Sequence, residues 1–152
     1  MFLIVTLLAL WSSGTEMQFS SLEDQLANAQ AKWAMAKVER YEFTLKRICF
    51  CPPAPPGSPQ AEPIVFRVEN GRGVLMGSWA AVPEARQGFD KYSTIEKQFE
   101  FIRAELRKRP YRAEIEYDSV FGYPRRVYID PEQSVADEEY GFALEGFRPL
   151  SR

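Results

Sequence analysis

Residues 117–130 read Tyr-Asp-Ser-Val-Phe-Gly-Tyr-Pro-Arg-Arg-Val-Tyr-Ile-Asp, and the fold class turns on them. Upstream, Ala113, Ile115 and Tyr117 alternate with Arg112, Glu114 and Glu116, the two-residue period of a half-buried strand. Downstream, Val127 and Ile129 alternate with Arg126, Tyr128 and Asp130. Between the runs, Asp118 bonds its own backbone readily and Gly122 accepts positive φ, so the two bracket a turn. Pro124 keeps Tyr123 out of helical geometry and fits the first residue of a strand. The stretch therefore predicts a β-hairpin with an aromatic corner.

Working outward, the same logic divides the rest of the chain. Ser20 and Glu23 have capping-box spacing, and Leu22, Leu26, Ala29 and Trp33 then repeat on one helical face. Tyr41, Phe43 and Leu45 alternate with Glu42, Thr44 and Lys46 in a first strand that runs into Cys49-Phe50-Cys51. Residues 52–63 are proline-rich, which predicts an exposed loop. Ile64, Phe66 and Val68 form a second strand. Asn70-Gly71, two residues that tolerate positive φ, turns it into a third over 74–76. Residues 77–92 show no period and read as a long loop, with Trp79 as a lid on the core or an exposed contact. Ser93 and Glu96 repeat the capping-box spacing ahead of Ile95, Phe99, Ile102 and Leu106, and Pro110 stops that helix. Tyr140, Phe142 and Leu144 alternate in a last strand. The expectation is an α+β protein in the order α-βββ-α-βββ. About six antiparallel strands carry two helices on one face.

Composition narrows function by exclusion. The 152 residues suit one domain, and the net charge of −2 gives no pull toward nucleic acid. Histidine is absent, so these residues cannot assemble a Ser-His-Asp or Cys-His mechanism. An apolar run over 2–11 followed by Ser12, Ser13 and Gly14 fits a signal peptide over 1–14, with one domain over 15–152. The start of that run lacks Lys and Arg, which leaves two alternatives: a start further upstream, or a buried N-terminal strand or helix in place of a signal peptide. The expected location is extracytoplasmic, periplasmic or secreted, with no membrane anchor after cleavage.

Cys49 and Cys51 fall on one strand face. An even pair in an oxidising compartment invites a disulfide. Residues two apart in an extended strand lie roughly 6.5–7 Å apart, the upper limit for bridging, so a bridge needs a local kink. Structural bridge, free thiols and a redox or soft-metal site all remain open, and the reading taken is a structural pair. Asp118, Asp130 and Asp137, with Glu138 and Glu139, are weak candidates for an oxygen-ligated ion. Asp118, Phe121, Tyr123 and Trp79 are the candidate contact surface. No cofactor is implied. The leading functional expectation is a non-catalytic binding module for an unknown protein partner in the cell envelope. The alternative is a thiol–disulfide redox protein using Cys49 and Cys51, and exposure of those sulfurs beside Lys46 or Arg47 separates the two.

Several of these motifs recur together. Trp33, the strand ending Cys49-Phe50-Cys51, the run from Ile64 to Gly71, and Thr94-Ile95 with Phe99 are four of them. Tyr117-Asp118, Gly122-Tyr123-Pro124, Ile129-Asp130 and the closing Ala136-Asp137-Glu138-Glu139 complete the set. In this combination, over about 24–150, the chain resembles the bacterial domain-of-unknown-function family 6174. The resemblance carries no activity. It implies an exported protein, and because Thr15 stands where many members have a lipid-bearing cysteine, a form without a lipid anchor.

Overall fold

In a computed structural model the chain is described over residues 10–51, 57–60 and 62–151, with the backbone alone for 10–15. It runs α1 (Leu10–Ala36), β1 (Arg40–Cys49), β2 (Ile64–Glu69), β3 (Arg72–Leu75), α2 (Pro83–Phe89), α3 (Ile95–Arg107), β4 (Arg112–Tyr117), β5 (Pro124–Asp130) and β6 (Tyr140–Pro149). Among the described residues the six strands make one sheet in the order β3-β2-β1-β6-β5-β4, and every neighbouring pair is antiparallel. Each half of the chain is a meander, and β1 against β6 joins the halves at the centre.

The alternation in the strands decides the layers. Tyr41, Phe43 and Leu45 of β1, Ile64, Phe66 and Val68 of β2, Val127 and Ile129 of β5, and Phe142 and Leu144 of β6 are all buried. Residues between them carry charge across the opposite face, where Glu42 holds both Arg67 and Arg148, and Lys46 meets Glu145 at 2.7 Å. The helices cover the apolar face alone, the one-sided arrangement open to an antiparallel sheet. α1 and α3 run antiparallel, as the pairs Trp33–Glu96, Gln30–Arg103 and Phe19–Arg109 show.

A bulge corrects the parity of β6. Between Glu42 and Thr44 of β1 the pairing passes from Arg148 to Glu145, one residue more on β6 than on β1. Gly146 takes φ +58° there, the left-handed geometry of a glycine bulge. The extra residue turns Phe147 onto the helix side, where it packs against Trp33, Tyr41, Phe121 and Tyr123.

Local expectations are corrected at three places. Three α-helices are present among the described residues rather than two, because 77–92 is not a loop: it is a 3-10 turn (Gly77–Ala81), α2 with Pro83 in its first turn, and a second 3-10 turn (Asp90–Tyr92). Its buried residues Trp79, Ala85, Phe89 and Tyr92 are spread over three short elements, which erases any single period. Helix α1 does not start at Ser20, since Phe19 extends its buried face upstream and lies under the Arg109 guanidinium at 5.0 Å. The cap of α3 is Thr94, whose Oγ1 accepts from the Lys97 N–H at 3.2 Å, and Ser93 is buried beside it. Residues 1–9 of the expected leader, and 52–56 and 61 of the proline-rich loop, lie outside the described residues; residues 10–14 belong to the first turns of α1.

Candidate functional site

β1 ends at Cys49, and the backbone leaves strand geometry at Phe50 and Cys51. That departure brings the two Cα atoms to 5.0 Å, inside bridging range, and Cys49 and Cys51 form a disulfide. The expected kink is present. The bridge stands at the surface: Cys49 is exposed, Cys51 half-buried, and Phe50 between them is 81% exposed.

The neighbourhood follows from strand parity. Cys49 lies on the helix-facing side with Arg47, two residues before it, and pairs across the sheet with Tyr140. The Arg47 guanidinium sits over the Phe89 ring at 5.3 Å. The Tyr140 hydroxyl donates to Glu105 of α3 at 2.5 Å, and Lys108 donates to both oxygens of the same carboxylate. Burial, with Glu105 adding, holds the Tyr140 phenol above its ordinary range, so the hydroxyl keeps the proton it donates. Lys46, the other cation named from the sequence, points to the opposite face and is paired with Glu145. Arg47 is thus the cation that shares a face with Cys49.

The other sequence-derived residues stand elsewhere. Asp118 Oδ1 accepts from the N–H groups of Val120 at 2.9 Å and Phe121 at 2.6 Å, so it holds the β4–β5 turn. Lys32 of α1 donates to the Ser119 carbonyl at 2.9 Å. A Cβ on Gly122 (φ +83°) would lie 2.5 Å from the Ala29 carbonyl oxygen, so the turn docks directly on α1. Phe121 and Tyr123 are half-buried around Phe147. Trp79 is 5% exposed, and its indole N–H donates to the Glu62 carbonyl. The structure therefore leaves Trp79 apart from the hairpin corner.

The acidic residues do not converge. Asp118 and Asp130 flank β5 at opposite ends, about 20 Å of strand apart. Asp130 faces Arg112 in register, and Asp137 lies in the exposed turn before β6. Among the described residues, no three His, Cys, Asp or Glu side chains are grouped to hold a metal ion.

One node was missed by the sequence reading. Tyr41, at the start of β1, accepts the Ile95 N–H at 3.0 Å and donates to Glu96 at 3.4 Å, and the Trp33 indole N–H donates to Glu96 at 2.7 Å. A strand hydroxyl thus caps the first turn of α3, where orphan N–H groups seek acceptors. Burial holds the Tyr41 phenol well above its ordinary range. Tyr41 and Glu96 are 55 residues apart, and no local spacing signals such a pair.

Fold and site together define a small α+β protein with one half-covered antiparallel sheet and an exposed Cys-x-Cys disulfide at the end of its central strand. The family model described as a family of unknown function (DUF6174) matches residues 25–149, and the chain belongs to that family. No curated protein and no solved structure matches it. Among the described residues no helix is long and apolar enough to cross a membrane.

Proposed function

We propose that the protein is a thiol–disulfide exchange protein working outside the cytoplasm, with Cys49 and Cys51 as its redox pair. The observation that carries this reading is an exposed disulfide between residues only two apart, with a cation on the same face. A ring that short removes little entropy from the unfolded chain, so the bridge contributes little to the fold, and opening it costs the fold correspondingly little. Exposed bridges are the labile ones, and Arg47 supplies the positive charge that favours thiolate chemistry. The sequence favoured a structural pair in a binding module. The exposure of Cys49 supports the exchange reading instead. An extracytoplasmic location accords with an oxidised pair and with the apolar run at 2–11.

The test is equilibration of the purified protein in glutathione buffers of graded poise, with the thiols trapped by acid and alkylated. A pair that changes state within the range of an oxidising compartment, and oxidises a dithiol peptide stoichiometrically, supports the reading. A bridge that stays closed throughout that range, with no peptide oxidised, overturns it.

A further inference from the structure

The two cysteines are not equivalent, and this asymmetry deepens the exchange reading on which it rests. Cys49 is the last residue of β1, held in register against Tyr140, exposed, and on the face that carries Arg47. Cys51 lies beyond the strand and is half-buried. Phe50, at 81%, is the most exposed large hydrophobic side chain among the described residues, and it stands between the two cysteines. An aromatic ring is rarely left so open to water, and a polypeptide passing the bridge would cover it. We propose that the protein exchanges with a cysteine-bearing polypeptide that enters at Cys49, with an apolar neighbour of the incoming cysteine resting on Phe50, and that Cys51 is the leaving thiol, which resolves the mixed disulfide in the reverse direction by attacking Cys49 Sγ and releasing the polypeptide thiolate.

The steps balance without a further reagent. The thiolate of the incoming cysteine attacks Sγ of Cys49, the Cys49–Cys51 bond breaks, and Cys51 leaves as a thiolate that takes a proton from water. The mixed disulfide joins Cys49 to the polypeptide. A second thiol of the same polypeptide then attacks its own cysteine sulfur and releases Cys49 as a thiolate beside Arg47. The polypeptide dithiol is oxidised to a disulfide, and the protein's disulfide is reduced to two thiols.

The test reacts the oxidised full chain with single-cysteine peptides, Phe-Cys and Gly-Cys in otherwise identical sequences, followed by acid quench and mass mapping of the adduct. At least a tenfold excess of adduct on Cys49 over Cys51 is expected, with faster reaction of the Phe-Cys peptide. Phe50→Ala is expected to abolish the difference between peptides and leave the choice of sulfur intact. Cys51→Ala is expected to hold a mixed disulfide with a peptide disulfide at least tenfold longer than Cys49→Ala does. Adduct on Cys51, or on both alike, overturns the assignment of Cys49 while exchange itself stands. Equal rates for the two peptides overturn the role of Phe50. No adduct with any peptide removes this inference and the exchange reading together.

Discussion

The two ends of β1 stand in opposite surroundings although one alternating pattern runs through both. At its start Tyr41 is 1% exposed, packed edge-on against Trp33 and tied by its hydroxyl to the first turn of α3. At its finish Cys49 is exposed, and the chain leaves the sheet through Phe50. Both residues face the helix side, so parity alone does not separate them. The difference is what lies above: at the Tyr41 end, Trp33 of α1 and the first turn of α3 close over the strand, whereas Cys49 at the other end remains exposed. The comparison teaches that one strand can anchor a core at one end and carry an exposed disulfide at the other, even where α3 spans its length from Ile95 over Tyr41 to Glu105 beside Tyr140.

The largest effect that would break this contrast is expected from Tyr41→Ala. It empties a buried aromatic site and removes the acceptor for Ile95, which should lower stability by about 3–5 kcal/mol in chemical denaturation. A loss below about 1 kcal/mol would mean that this end is no anchor. Tyr41→Phe isolates the hydroxyl: the Ile95 N–H loses its partner in the core, for an expected loss of about 1–3 kcal/mol.

Alkaline pH probes the buried phenols of the core more gently. Burial raises the phenols of Tyr41 and Tyr117 above their ordinary range and pushes Tyr92 up to about 12. A folded-state pKa above the unfolded value of about 10 favours the folded form at lower pH. That stability is fully present below about pH 10 and is lost as pH rises toward 12. Ultraviolet titration should show these three phenols ionising only as the fold is lost, with denaturation midpoints falling over the same interval. Three phenols that ionise near pH 10 in a folded chain would contradict their burial.

The smallest effect is expected at the other end. Cys49→Ser with Cys51→Ser should leave the fold intact and lower stability by no more than about 1.5 kcal/mol, because the closed loop is so short. A loss comparable to Tyr41→Ala would make the bridge a structural staple and erase the contrast between the ends.

Much of this architecture was legible in single segments. Ile95, Phe99, Ile102 and Leu106 at helical spacing are all buried on α3, and Asn70 and Gly71 take the positive φ that their turn demands. Asp118, Gly122 and Pro124 build the corner in the way their chemistry implies. Residues 77–92 were not legible, because α2 and its flanking 3-10 turns are each too short to show a period. The capping residue of α3 was displaced by one, from Ser93 to Thr94, since two adjacent hydroxyls satisfy the same local pattern.

By itself, then, the sequence determined the order of the six strands and the two long helices, the antiparallel class and the placing of two cysteines two residues apart at the end of β1. Those properties follow from side-chain period and backbone conformational preference, which act over a few residues. Only the tertiary structure decided that Phe147 turns inward through the Gly146 bulge, that Tyr41 caps a helix 54 residues away, and that Cys49 stays uncovered while Tyr41 is sealed. Each of those depends on which segments meet in space, and the chemistry of the Cys49–Cys51 pair rests on the last of them.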